Sequence, residues 1–113
     1  MKSLNEKLRE FMNEIKSVKE GLKVYHYEKA AKATAPYVVW AEEGEDDYLG
    51  ADNNKEEQQI EGWLEFYTQT EFDSAIDDIQ EKLNEITCGW RLDAVQYEDE
   101  TKLIHYSWTW RIA

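Results

Sequence analysis

Leu103-Ile104-His105-Tyr106-Ser107-Trp108-Thr109-Trp110-Arg111-Ile112 alternates with a period of two: Ile104, Tyr106, Trp108, Trp110 and Ile112 share one side, His105, Ser107, Thr109 and Arg111 the other. Side chains on an extended chain point to opposite faces in turn, so this is a strand with one face in an apolar interior. Residues 90–97 form a second strand-forming run, and the acidic turn Glu98-Asp99-Glu100 joins the two. The pair predicts an antiparallel hairpin.

Working back along the chain, residues 57–68 alternate as well. Ile60, Gly62, Leu64 and Phe66 fall on one face, with Glu61, Trp63, Glu65 and Tyr67 on the other. Between this strand and the hairpin, Phe72, Ala75, Ile76, Ile79, Leu83 and Ile86 recur at helical spacing, with Thr70 or Asp73 able to cap the start and Thr87-Cys88-Gly89 to stop it. Upstream, residues 36–43 hold the strand formers Tyr37, Val38, Val39 and Trp40, and residues 22–27 form a shorter strand. The linking residues 28–35 lead to Pro36, which disfavours helix before it. At the start, Ser3 and Glu6 make a capping box ahead of an apolar stripe through Leu4, Leu8, Phe11, Met12, Ile15 and Val18, predicting a helix over residues 3–20 that Gly21 closes.

The resulting order α-β-β-β-α-β-β predicts an α+β fold: a mainly antiparallel sheet of four or five strands with two helices packed on one face. Length supports one domain over residues 1–113, since 113 residues suffice for one core and no repeat or Pro/Gly-rich linker divides them. A shared core of Phe11, Ile15, Leu64, Phe66, Ile76, Ile79, Leu83 and Trp108 follows from the stripes.

Composition narrows the function classes. Acidic residues outnumber basic ones 25 to 13, for a formal charge of -12, which opposes a grip on phosphate backbones or anionic membranes. No apolar run is long enough to span a bilayer and the charged start has no signal-peptide character, so a soluble cytosolic protein is expected. Cys88 is the only cysteine, which rules out an internal disulfide and a cysteine-built zinc site, and its place after a helix predicts a buried or semi-buried structural thiol. Neither His26 nor His105 has a neighbour in sequence at ligand spacing, and both read as structural. No phosphate loop, nucleophile elbow or metalloprotease motif is present. The acidic run Glu42, Glu43, Glu45, Asp46, Asp47 and Asp52 lacks the spacing of a calcium loop and reads as a solvated loop over residues 44–55. No catalytic residue, metal site or cofactor is expected.

The remaining signal is aromatic. Trp63 and Tyr67 lie on the sheet face opposite Leu64 and Phe66, flanked by Glu61 and Glu65, and Tyr and Trp with a charged rim are the composition of protein interfaces. Trp63, Tyr67, Tyr37 and Val39 are therefore the candidate interface residues.

Three stretches in order, Tyr25-His26-Tyr27, Ala35-Pro36-Tyr37-Val38-Val39-Trp40 and Asp46-Asp47-Tyr48-Leu49-Gly50-Ala51-Asp52-Asn53, resemble the tail terminators, the tail-completion and head-tail joining proteins of long-tailed bacteriophages and prophages. Leu64-Glu65-Phe66-Tyr67-Thr68, the helix beginning near Phe72-Asp73 and the closing aromatic strand extend the likeness over residues 22–112. The resemblance implies a structural protein of the virion tail, assembled in the host bacterial cytoplasm. Such a subunit forms a homo-oligomeric ring, usually a hexamer, that caps the tail tube protein, meets the head-tail connector and lets DNA pass without specific binding. In that setting Glu43, Glu45, Asp46, Asp47 and Asp52 would form an acidic lumen or loop that repels phosphate. Two rival classes fit the composition: an acidic adaptor or nucleic-acid-mimic inhibitor that binds a basic partner, and a small metal-dependent hydrolase built on the acidic loop. An adaptor binds a foreign basic protein, whereas a terminator assembles with itself or with tube ends.

Overall fold

The structure is a computed structural model, and it describes residues 2–45 and 58–113. Among them, helix α1 (Leu4–Lys16) precedes strands β1 (Lys23–His26), β2 (Tyr37–Glu45) and β3 (Ile60–Thr68). Helix α2 (Ser74–Ile86) then leads to β4 (Gly89–Glu98) and β5 (Leu103–Ile112).

Each helix begins where its cap chemistry places it. The Ser3 hydroxyl accepts from the Glu6 amide at 3.2 Å, and the Asp73 carboxylate accepts from the Ala75 amide at 2.9 Å, satisfying donors that helix starts leave open. Helix α1 ends at Lys16, four residues short of the stretch its apolar spacing marks out. The Ser17 hydroxyl donates to the Glu14 carbonyl at 2.6 Å and the Val18 amide to the Ile15 carbonyl at 3.1 Å, tightening the last turn before Gly21, at φ +79°, redirects the chain. Thr87 ends α2 in the same manner, its hydroxyl donating to the Leu83 carbonyl at 2.6 Å.

The five strands form one α+β sheet in the order β1-β2-β3-β5-β4. The sheet is mixed: β1 runs parallel to β2, and the other three pairings are antiparallel. The sheet is thus mainly antiparallel, with one parallel pair at the β1 edge that the strand patterns do not mark. Residues 27–36 carry the chain back to the end where β1 began, tied down by the Lys23 ammonium on the Thr34 carbonyl at 2.5 Å and by the Tyr27 amide on the Trp40 carbonyl at 2.8 Å. Strand β2 also runs to Glu45, beyond residue 43, with Glu43 skipped in the register beside β3.

The core gathers the even-numbered residues of β2, β3 and β5. Val38, Trp40, Leu64, Phe66, Trp108 and Trp110 are buried in one cluster with Phe11 and Ile15 of α1 and with Ala75, Ile79 and Leu83 of α2. Phe11 meets the Trp110 ring at 4.2 Å and the Trp40 ring at 5.0 Å, and the Trp108 indole N–H donates to Gln80 of α2 at 3.1 Å. Gly62 lets Trp110 lie this close, because a Cβ there would stand 2.3 Å from both the Ala41 carbonyl oxygen and the Trp110 ring. No helix among the described residues is long and apolar enough to cross a membrane.

Candidate functional site

The odd-numbered residues in the middle of β2, β3 and β5 line the other face of the sheet. Register aligns Tyr37 of β2 with Tyr67 of β3 and His105 of β5, and the three rings stack in a row, 4.9 Å and then 4.3 Å between centroids. Tyr25 meets Tyr37 edge-on at 6.1 Å and extends the row to β1. Cross-strand aromatic pairs of this kind stiffen a sheet.

Carboxylates frame the row. The Tyr67 hydroxyl donates to Glu65 at 2.9 Å, and His105 brings Nε2 to 3.4 Å from Glu65 and Nδ1 to 4.0 Å from Glu98. The Nε2 contact is an electrostatic approach without hydrogen-bond alignment: that nitrogen is buried and makes no hydrogen bond among the described residues. Burial, then the hydrogen bond and charge of Glu65, push the Tyr67 phenol well above its ordinary value. Burial first, and then the charges of Glu98 and Glu65, raise Tyr37 as well. Both phenols therefore stay neutral, and the Tyr67 hydroxyl remains a donor to Glu65.

These residues form a groove of about 500 Å³, with Tyr37, Val39, Trp63 and Tyr67 along it and Glu65, Glu98, Leu103, Tyr27, Glu28, Lys29 and Ala33 completing its lining. All four candidate interface residues thus come together. Their exposure divides them: Tyr37 and Val39 are buried and form the floor, while Trp63 and Tyr67 are half-buried and reachable. Of the candidate acidic loop, only Glu43 and Glu45 are among the described residues. Glu43 is exposed on β2, Glu45 accepts from the Gln58 amide at 2.8 Å, and Asp46, Asp47 and Asp52 lie outside the described residues.

Both histidines have carboxylate partners that sequence spacing hides. His26 sits between the Tyr27 and Trp40 rings, at 3.8 Å and 4.0 Å, with Nε2 2.6 Å from Glu42, whose other oxygen accepts from the Tyr27 hydroxyl. Burial alone would raise the Glu42 carboxyl, but hydrogen bonds from Tyr27, the backbone and His26 outweigh it and hold the group below the usual carboxylate range. Parallel pairing of His26 with Trp40 brings Glu42 alongside, and only the register discloses it. Cys88 is exposed, which corrects the expectation of a buried thiol. Its amide and thiol both donate to the Arg111 carbonyl, at 2.8 Å and 3.3 Å, because the residue follows α2 on the rim of the sheet.

A second surface was not legible in the sequence. Register places Leu92, Val95 and Tyr97 of β4 on the helix side of the sheet beside Trp108, Tyr106 and Ile104, yet all three are exposed. Phe72, 89% exposed at φ +56°, is a further uncovered ring just before α2. Asp93 is skipped in the register beside β5, which brings Leu92 to the same face as Val95 and Tyr97, and the tie to α2 lies at the Trp90 end of the hairpin, where the Trp90 indole donates to Asn84 at 2.7 Å.

Among the described residues, no three His, Cys, Asp or Glu side chains gather in a way that could hold a metal ion. The groove offers aromatic surface, carboxylates and a recess; its Thr101 hydroxyl donates to Glu98 at 3.0 Å. That arrangement suits holding a cationic or amphipathic group. No protein-family model matches the chain, and a search of curated proteins finds no match either, so its relationships rest on its own residues.

Proposed function

We propose that this chain is a non-enzymatic assembly subunit of the tail-terminator type, with both helices on one face of its sheet and the other face kept for neighbouring proteins. The observation that carries this reading is the groove: half-buried Trp63 and Tyr67 over a floor of Tyr37 and Val39, rimmed by Glu65 and Glu98. Aromatic anchors inside a polar rim are what protein interfaces concentrate. A ring needs two different complementary patches on every subunit, because head-to-tail contacts close by rotation. The exposed Leu92, Val95 and Tyr97 lie on the opposite side of the sheet, and with the exposed Phe72 they supply uncovered apolar surface beyond the groove. A charge of -12 suits a ring that DNA traverses without adhering. Such a ring, a hexamer in the resembled family, would cap the tail tube and present its far side to the head-tail connector.

The test is tube length. Purified tail tube protein polymerising with this chain should give short, capped tubes, and the double variant Trp63→Ser/Tyr67→Ser should restore unlimited growth. Tubes that grow equally long with and without the wild-type chain would contradict a terminator role. The carboxylates of the groove favour one second reading, an acidic adaptor holding a basic foreign protein. It predicts a tight complex of one chain with a basic partner and no effect on tubes.

A further inference from the structure

The chain's charge is unevenly distributed. Residues 16–32 carry Lys16, Lys19, Lys23, Lys29 and Lys32 against Glu20 and Glu28, so this segment is positive by three (five minus two) within a protein of -12. Lys23 is engaged with Thr34, and Lys29 lies in the wall of the groove. Lys16, Lys19 and Lys32 are exposed and make no ion pair among the described residues. Three cations elsewhere behave differently: Lys2 pairs with Glu10 at 2.7 Å, Lys82 with Glu14 at 3.0 Å and Arg91 with Asp93 at 2.6 Å.

The groove on the open sheet face is the complement of that segment. Its charged lining is Glu28, Glu65 and Glu98 against Lys29, negative by two (three minus one), set beside the Trp63, Tyr37 and Tyr67 rings. An ammonium entering it would meet carboxylates at the rim and aromatic faces along the walls, both of which attract a cation. The cleft between α1 and α2 is larger, at about 650 Å³, but its Lys2 and Glu10 neutralise each other and no aromatic row lines it. Lys16, Lys19 and Lys32 lie outside the groove's own lining.

We infer that the occupant of the groove is a second copy of this chain, which seats its lysine-bearing segment, Lys16, Lys19 and Lys32, against Glu65, Glu98 and the Trp63–Tyr67 wall. This inference rests on the assembly role proposed above. The donor lysines and the acceptor residues Glu65, Glu98, Trp63 and Tyr67 are different side chains, so the contact is head-to-tail and can propagate round a ring. It also reconciles self-association with the net charge, because the chain's only strongly basic segment meets an acidic recess.

Charge-swap complementation tests it. Lys19→Glu/Lys32→Glu changes two exposed residues outside both helices, and Glu65→Lys/Glu98→Lys reverses the groove. Each variant alone should self-associate at least ~10-fold more weakly than wild type by light scattering, and an equimolar mixture should regain association to within about threefold. Should Glu65→Lys/Glu98→Lys fail to fold, Glu65→Gln/Glu98→Gln keeps the hydrogen-bonding shape and should still weaken association. Wild-type assembly that Lys19→Glu/Lys32→Glu leaves unchanged would overturn this contact while leaving the assembly role standing. A wild type that stays monomeric with tube ends present, yet binds a tri-arginine peptide through Glu65 and Glu98, would overturn both in favour of a foreign basic partner.

Discussion

At Gly62 an added Cβ would overlap the Ala41 carbonyl and the Trp110 ring, and neither can retreat: one is backbone in mid-sheet, the other a fully buried indole. Gly62→Ala should therefore destabilise the fold by about 1–3 kcal/mol or more, read from the denaturant midpoint, although alanine ordinarily favours a strand no less than glycine. Glu42 sets a second expectation. Its carboxyl is held below the ordinary carboxylate value, so its stabilising contribution is fully present above the unfolded value, about 4.3, and is lost as pH falls through the lower folded value. Glu42→Gln should lower stability at neutral pH and flatten the acid limb of the stability curve; an unchanged limb would show that His26 and Tyr27 do not hold the charged form. The glycine was visible in the sequence only as a member of an alternating face. The partners of His26 and His105 were not visible at all, since Glu42, Glu65 and Glu98 become neighbours through strand pairing and not through spacing along the chain.

Helix α2 shows how far element patterns reach. Its apolar stripe and its Asp73 cap are both written locally, because a 3.6-residue period and a side-chain cap depend on nothing distant. Ile79 and Leu83 are fully buried against the sheet, and either Ile79→Ala or Leu83→Ala should cost about 2–5 kcal/mol by thermal or denaturant unfolding. Asp73→Ala should cost about 1–3 kcal/mol, since the carboxylate also accepts from the Thr68 hydroxyl at 2.7 Å and Thr68 is buried. Asp73→Asn should recover part of that loss. Where a local pattern competed with a local hydrogen bond, the bond decided: Ser17 turned α1 aside while the apolar spacing continued to Val18. The parallel placement of β1 was hidden for a different reason. A strand of four residues carries no mark of its partner's direction, and the direction depends on how residues 27–36 return.

Across the whole molecule, the alternation that buries one side of each central strand leaves the other side to be explained, and there the aromatic row, the carboxylates and a wall of Tyr27, Glu28, Lys29 and Ala33 make a recess. Trp63 and Tyr67 were legible as a surface because they interrupt a polar face. The division into a buried floor and a reachable rim was not, because it depends on the chain segment that folds over β2. The exposed strip on β4 was hidden because the register shift at Asp93, which brings Leu92 round to the face of Val95 and Tyr97, leaves no mark in the alternation. The most direct measurement is the mass in solution, by light scattering over rising concentration, of wild type beside Trp63→Ser/Tyr67→Ser, with both shown folded by circular dichroism. If the open face is the docking surface, wild type should rise to a closed multi-subunit ring while the double variant holds the mass of one chain. A folded double variant that assembles as readily as wild type would contradict it.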